Sequence, residues 1–209
     1  VGFNGCKDIP TPHIDSIASK GVKFSSGYTS YSVCGPSRAG FITGRYQQRF
    51  GFERNPLWNL TDPTSALPLS EMTIGQSLQQ VGYRTAIIGK WHLGAEPSLR
   101  PNKRGFDEFF GHLGGGDKFM PEDLNIIKTE DVKSEFESYR SWITRNDTPV
   151  RTKKYLTEEF SDEAISFVER NQDNPFFVFL SYNAPHQPLQ ATEKYLNRFD
   201  HIKDPKRKV

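Results

Sequence analysis

Residues 157–182 read TEEFSDEAISFVERNQDNPFFVFLSY, a helical pattern followed closely by a strand pattern. Four apolar residues of the first part recur at the spacing of one helix face: Phe160, Ala164, Phe167 and Val168. Thr157 is the expected N-cap of this helix. The run FFVFLSY at 176–182 is the clearest strand pattern of the chain. A helix that leads directly into such a strand is typical of an α/β fold.

The same alternation extends through the upstream half of the chain. Helices are predicted at 11–21, 36–44 and 73–82, where a cap residue or a proline opens each segment and a glycine closes it. Short strands are predicted at 22–29 and 84–89. Strands separated by helices predict a mostly parallel sheet sandwiched by helices.

Three segments rich in reactive side chains follow three of the predicted strands. They are Cys34 to Arg38, Lys90 to His92, and Pro185-His186. Because ligands of parallel sheets gather at the carboxyl ends of the strands, we expect these segments to form one site. The irregular stretches 45–72 and 112–155 are expected to carry the loops that select a substrate.

Composition and charge limit the kinds of partner that the chain is expected to bind. The chain has 209 residues, 35% of them hydrophobic, and a formal net charge of +2. Such a balance favours neither nucleic acid nor a membrane surface as a partner. No apolar run approaches the roughly 20 residues that span a bilayer, so we expect no transmembrane segment. Cys6 and Cys34 could form one disulfide bond, but the surroundings of Cys34 indicate another role. If Cys34 is catalytic, a fold held together by disulfides is excluded.

Cys34 belongs to the segment Cys34-Gly-Pro36-Ser-Arg38. Pro36 suits the first turn of a helix, so the thiol is expected just before a helix N-terminus, where the dipole favours an anion. Arg38 can add a bidentate fork for an oxyanion, and a thiol in this field would be acidic. The residues alone leave four possibilities open: a cysteine hydrolase, a redox thiol, an anion site or a buried structural cysteine.

Two longer motifs resemble the signatures of a known protein family. The segment around Cys34, with Thr43-Gly44-Arg45 after it, resembles the first signature of the type I sulfatases. The second signature resembles Gly82-Tyr83-x-Thr85 followed by GKWHLG at 89–94. Shorter matches lie at 11–15, 104–107 and 184–188, and the chain looks most like arylsulfatase B and bacterial polysaccharide sulfatases. The resemblance implies an alkaline-phosphatase-like α/β fold.

The resemblance also implies a modified nucleophile. Cys34 would be oxidised to formylglycine by a formylglycine-generating enzyme or an anaerobic sulfatase-maturating enzyme. The modification signal would comprise Cys34, Pro36, Ser37 and Arg38. The hydrated aldehyde can attack sulfur with one hydroxyl and expel sulfate through the other.

Four further residues receive catalytic roles from the resemblance. Arg38 would orient the nucleophile, and Lys90 would hold the sulfate oxygens. His92 would hydrogen-bond the diol and take its proton when the intermediate collapses, and His186 would protonate the departing alcohol. Thr43-Gly44-Arg45 would serve the maturating enzyme or hold the helix end.

Two other residues are weaker candidates for substrate binding. Trp91 could stack on a sugar, but a core aromatic between Lys90 and His92 is the alternative. His112, close to Asp107 and a glycine triplet, could touch substrate.

The resemblance implies one Ca²⁺ ion with oxygen ligands. Within this chain only Cys34, as formylglycine, is expected to bind it. The other ligands are expected in the remainder of the polypeptide. Residues 1–209 are therefore interpreted as part of a sulfatase catalytic domain that lacks the first metal-binding strand and the carboxyl-terminal portion.

The resulting hypothesis is a sulfuric ester hydrolase acting on a sulfated sugar or polysaccharide. A galactose-type sugar, in a glycosaminoglycan or carrageenan, is favoured. We expect an exported enzyme, periplasmic or extracellular in a bacterium and lysosomal or secreted in a eukaryote. The alternatives are a phosphonate or phosphodiester hydrolase of the same superfamily, and an inactive glycan-binding relative.

Overall fold

A computed structural model describes residues 1–56, 60–124 and 142–209. The chain divides into two compact units: residues 29–190 form one, and residues 1–28 with 191–209 form the other. The helices are α1 (Pro12–Lys20), α2 (Cys34–Thr43), α3 (Ile74–Gln79), α4 (Leu156–Asn171), α5 (Glu193–Leu196) and α6 (Pro205–Lys208). In the described ranges, no helix is both long and apolar enough to cross a membrane.

Residues 29–190 are built on a five-stranded mixed sheet of order β4-β3-β2-β1-β5. The strands are β1 (Arg84–Lys90), β2 (Glu108–His112), β3 (Ile143–Arg145), β4 (Thr148–Pro149) and β5 (Phe176–Ser181). β1 pairs in parallel with β2 and β5, whereas β3 and β4 are antiparallel. The predicted α/β class is confirmed, but the antiparallel β3 and β4 were not expected.

β1 lies between the parallel strands β2 and β5 and is apolar on both faces. Every residue after Arg84 is buried, and Ile88 aligns with Phe110 of β2 and Leu180 of β5. Gly89 has a φ of 111°, and a Cβ there would lie 1.9 Å from the carbonyl oxygen of Ser181. Only glycine permits that approach and that backbone conformation, so Gly89 fixes the backbone geometry directly before Lys90.

Alternating residues of the strands build a core on each face of the sheet. On one face Ile87 and Phe109 pack with Ala39 and Ile42 of α2. On the other, neighbours in the same strands pack against α4: Ala86, Ile88 and Phe110 with Phe160, Ala164 and Phe167. Because strand side chains alternate, one strand sequence supports helices on both faces.

The helix boundaries differ slightly from the sequence predictions. α2 begins at Cys34, two residues before the predicted start. α4 is capped at Tyr155 rather than at the predicted Thr157. α3 begins as predicted, because Thr73 and Gln76 form a capping box in which each side chain satisfies a backbone N–H of the other residue.

The unit formed by residues 1–28 and 191–209 contains α1, α5 and α6. The strand predicted at 22–29 is wrong: no strand forms there, and Val22, Phe24 and Tyr28 are 79%, 80% and 92% exposed. Within the described part of the chain no strand pairs with this segment, so its β-favouring residues have no ladder to join.

Candidate active site

Cys34 is the first residue of α2 and is partly buried. The thiol therefore lies inside the first helical turn, not just before it as the sequence predicted. N–H groups of a first turn have no acceptor within their helix, and the helix dipole makes this end positive. The N-cap residue, Val33, has no oxygen in its side chain to satisfy them.

Asn55 supplies the acceptor that Val33 lacks. Its Oδ1 accepts a hydrogen bond from the backbone N–H of Gly35 at 2.8 Å and another from Sγ of Cys34 at 3.3 Å. No sequence pattern marks Asn55 as functional, because an Asn-Pro pair indicates only a turn. Its contact with residues 20 and 21 positions away exists only in the folded chain.

Arg38 links α2 to the end of β1. Its Nε donates to the carbonyl oxygen of Trp91 at 2.7 Å, and its Nη2 donates to the carbonyl oxygen of Lys90. Burial lowers the pKa of this guanidinium to about 10, against a smaller opposing effect from Cys34. Arg38 therefore keeps its positive charge at neutral pH beside the thiol.

Lys90, the last residue of β1, is only 6% exposed. Its Nζ donates to the carbonyl oxygen of Gly115, and its ammonium group interacts electrostatically with Cys34. Burial, with a smaller contribution from the neighbouring Arg38, lowers the pKa of Lys90 to about 8 against an opposing effect from Cys34. The ammonium group is still mostly protonated at pH 7.

His92 has a φ of 57°, an uncommon left-handed conformation for a residue other than glycine. Its backbone N–H donates to the carbonyl oxygen of Leu113 at 3.2 Å, and it is 2% exposed. Burial holds the pKa of His92 well below its usual value, and the positive charges of Lys90 and Arg38 lower it further. The ring is therefore neutral at pH 7 and can accept a proton.

His186 follows β5 and is partly buried. Its Nδ1 lies 2.8 Å from the carbonyl oxygen of Gln187, an acceptor, so Nδ1 carries a proton and donates to it. Its charge contributes to lowering the pKa of His92, after burial and the larger effects of Lys90, Arg38 and His112. His186 thus lies within electrostatic reach of His92.

Trp91 and His112 are both 0% exposed. The Trp91 indole donates from Nε1 to the carbonyl oxygen of Leu99 at 3.1 Å and packs edge-on against Phe106. Trp91 is therefore a core residue with no ring face open to a sugar, which corrects its suggested substrate role. His112 pairs in register with Lys90 and likewise has no surface to offer a substrate in this structure.

The segment Thr43-Gly44-Arg45 holds the end of α2. The hydroxyl of Thr43 donates to the carbonyl oxygen of Ala39 at 2.7 Å, and Gly44 adopts a φ of 64° that ends the helix. Arg45 forms an ion pair with the carboxylate of Glu71, which is 6% exposed as a residue. These contacts support the helix-holding role.

The described residues do not by themselves fit a calcium ion. No group of three or more His, Cys, Asp or Glu side chains converges there to hold a metal. Calcium prefers several oxygen ligands, whereas the groups beside Cys34 include the cations Arg38 and Lys90.

A nucleophilic side chain at a helix N-terminus, with Arg38 and Lys90 against it, forms a site for an anionic substrate. The family model for the sulfatases matches residues 1–208. The chain belongs to the sulfatase family.

Individual relatives agree with this assignment. The chain is 31% identical to N-acetylgalactosamine-6-sulfatase of Mus musculus, covering 94% of this chain and 39% of that protein. It is 34% identical to arylsulfatase J of Mus musculus, covering 97% of this chain and 33% of that protein. The crystal structure of Ps i-CgsB in complex with k-i-k-neocarrahexaose is 38% identical, with a TM-score of 0.89 over 99% of this chain and 47% of that one. This sulfatase chain thus spans less than half the length of these relatives.

Proposed function

We propose that the complete protein is a sulfuric ester hydrolase that removes sulfate from a sulfated sugar, with formylglycine made from Cys34 as its nucleophile. The observation that carries this proposal is the position of Cys34 as the first residue of α2, with Arg38 of the same helix hydrogen-bonded to the carbonyl oxygens of Lys90 and Trp91. A cation held against the nucleophile is what an anionic sulfate ester requires.

The formylglycine hydrate would supply a hydroxyl that attacks sulfur and a second hydroxyl whose deprotonation releases sulfate. Sγ of Cys34 stands here for one of these oxygens. Lys90 would hold sulfate oxygens through its ammonium group. Arg38 would hold α2 next to the end of β1 through its two hydrogen bonds. His92, neutral because it is buried, would receive the proton of the nucleophile.

The leaving alcohol needs a proton as its bond to sulfur breaks. We assign this proton to Nε2 of His186, because Nδ1 is engaged with the carbonyl oxygen of Gln187. His186 is more exposed than His92, which suits a group at the side where the sugar departs. His92 would thus accept a proton, and His186 would donate one.

A galactose-type substrate is the finer part of the proposal. It is supported by two relatives, one named for N-acetylgalactosamine and the other crystallised with a neocarrahexaose, a six-sugar chain. We further propose maturation by a formylglycine-generating or anaerobic sulfatase-maturating enzyme, and export to a periplasmic, extracellular or lysosomal space. One Ca²⁺ ion, held mainly by carboxylates of the remaining polypeptide, completes the proposal.

Mass spectrometry of the tryptic peptide Phe24–Arg38, from protein made in its native host, is the first test. We expect the cysteine mass to be replaced by that of the aldehyde or its hydrate. Sulfate release from sulfated galactans and aryl sulfates should then be compared with hydrolysis of an aryl phosphonate. Preference for the phosphonate would favour the superfamily alternative, and an unmodified thiol with tight glycan binding would favour an inactive relative.

A further inference from the structure

Asn55 touches both the helix that carries the nucleophile and the nucleophilic side chain itself. It lies on the irregular segment that follows the 3-10 helix Gln47–Phe50. One oxygen, Oδ1, lies 2.8 Å from the backbone nitrogen of Gly35 and 3.3 Å from Sγ of Cys34. The second distance is short enough for a hydrogen bond that involves the larger sulfur atom.

The packing around Gly35 holds the Asn55 amide in place. A Cβ at position 35 would lie 2.9 Å from Oδ1 of Asn55 and 2.9 Å from Cδ of Pro56. Pro56 is buried, so the segment is wedged against the first turn of α2. The amide oxygen therefore has little freedom to turn away from Cys34.

Asn55 also differs chemically from the other groups identified around Cys34. Arg38 and Lys90 are cations and can only donate hydrogen bonds. The Asn55 oxygen is an acceptor without charge, so it can orient a hydroxyl or thiol proton without repelling an anionic ester. A carboxylate in the same place would accept the same hydrogen bonds but would oppose the binding of sulfate.

We propose that Asn55 is a positioning residue. Its Oδ1 fixes the side-chain rotamer of residue 34 and so directs the attacking atom towards a sulfate ester held by Lys90. The nucleophilic role of residue 34 rests on the proposed function. The placement of the side chain does not, because both contacts of Oδ1 exist with the unmodified cysteine.

The first test compares Asn55→Ala with Asn102→Ala in the complete, matured enzyme. Asn102 also uses its amide for hydrogen bonds, to Phe106, Asp107 and Asn146, none of which carries the proposed chemistry. We expect Asn55→Ala to lower kcat on an aryl sulfate by about 10- to 100-fold with KM changed less than about threefold, because a misaimed nucleophile slows the chemical step. An effect no larger than that of Asn102→Ala, or a loss of kcat matched by an equal loss of formylglycine in the peptide, would overturn the proposal.

Asn55→Asp tests whether an acceptor at position 55 is sufficient. Aspartate keeps an acceptor for Gly35 and Cys34, so we expect kcat to recover to within about fivefold of the parent enzyme. Its negative charge, beside the bound sulfate, should raise KM for the anionic ester by about tenfold. A variant with the kcat of Asn55→Ala, or with an unchanged KM, would contradict the assignment.

A measurement without turnover keeps this inference independent of the proposed activity. In the unmodified protein, hydrogen exchange of the Gly35 amide should be at least about tenfold faster in Asn55→Ala than in the parent or in Asn102→Ala. A crystal structure of Asn55→Ala should show Cys34 in more than one rotamer. Unchanged exchange together with a single, unchanged rotamer would refute the positioning role. Absence of sulfatase activity in the matured parent enzyme would instead refute only the proposed function.

Discussion

Arg38 and Trp91, 53 residues apart in the chain, are joined by a 2.7 Å hydrogen bond from the guanidinium Nε to the backbone carbonyl oxygen. A second donor of the same guanidinium binds the carbonyl oxygen of Lys90. One side chain thereby holds the N-terminal half of α2 against the end of β1. The relative position of Cys34 and Lys90 depends on this connection.

Arg38→Lys should disrupt that connection while retaining the charge. A lysine ammonium cannot reproduce the planar fork that reaches both carbonyl oxygens. We expect kcat/KM on an aryl sulfate to fall by about 100-fold and the free energy of unfolding to fall by about 1–2 kcal/mol. The exposed Arg49 provides a control, and Arg49→Lys should change neither quantity. Equal activity of the two variants would show that charge alone is needed at position 38.

Lys90→Met should separate activity from stability. Burial of the ammonium lowers the pKa of Lys90 from 10.5 to about 8, so its charged form destabilises the folded state. The variant should lose about 100- to 1,000-fold in kcat yet gain about 1–3 kcal/mol in the free energy of unfolding at pH 7.

The gain in stability should depend on pH in a defined direction. Below pH 8 both folded and unfolded parent proteins carry the charged lysine, so the full penalty is present. As pH rises from 8 towards 10.5 the folded lysine loses its proton first, and the difference between variant and parent should shrink. Chemical denaturation at pH 7 and pH 10 measures this, with Lys103→Met, at an exposed position, as the control.

The acidic limb of the pH–rate profile should lie below pH 6.5. Burial holds the pKa of His92 well below that value, so the ring stays neutral and able to accept a proton as pH falls through 6.5. An unshifted histidine would reduce kcat about threefold between pH 7 and pH 6, whereas we expect almost no change. Steady-state kinetics across pH 5–8 test this expectation. His92→Gln should lower kcat by about 100-fold or more, while His13→Gln on α1 should not.

Gly35→Ala should disturb the site through packing alone. The added methyl group would meet Asn55 and Pro56 at 2.9 Å, closer than real Cβ atoms approach their neighbours. We expect a loss of about 1–3 kcal/mol in the free energy of unfolding and a fall in kcat. Gly27→Ala is the matched control, since nothing lies within 4 Å of a Cβ there. Thermal unfolding that is equally unaffected in both variants would contradict the wedged arrangement.

The elements predicted well from the sequence are those whose pattern is local. β1, β5 and α4 were found because an unbroken apolar run or a helical apolar stripe is visible in the local sequence. The β3–β4 hairpin was missed although Asn146-Asp147 between Ile143 and Val150 is a plausible two-residue turn. β2 was missed because Glu108–His112 is short and directly follows turn residues.

By itself the sequence determined the family and the chemistry available at the site. Cys34, Arg38, Lys90 and His92 lie in contiguous motifs whose residue types and spacing are visible without a structure. Their charges and nucleophilicity belong to the side chains themselves.

Only the tertiary structure decided which residues those groups meet. The Asn55 contact with Cys34, the burial of Trp91 and the lowered pKa of His92 all depend on neighbours brought from distant parts of the chain. The segment at 22–29 shows the same dependence, since a β-favouring run becomes a strand only if another strand pairs with it. Long-range packing and desolvation arise when the chain folds, so no local pattern records them.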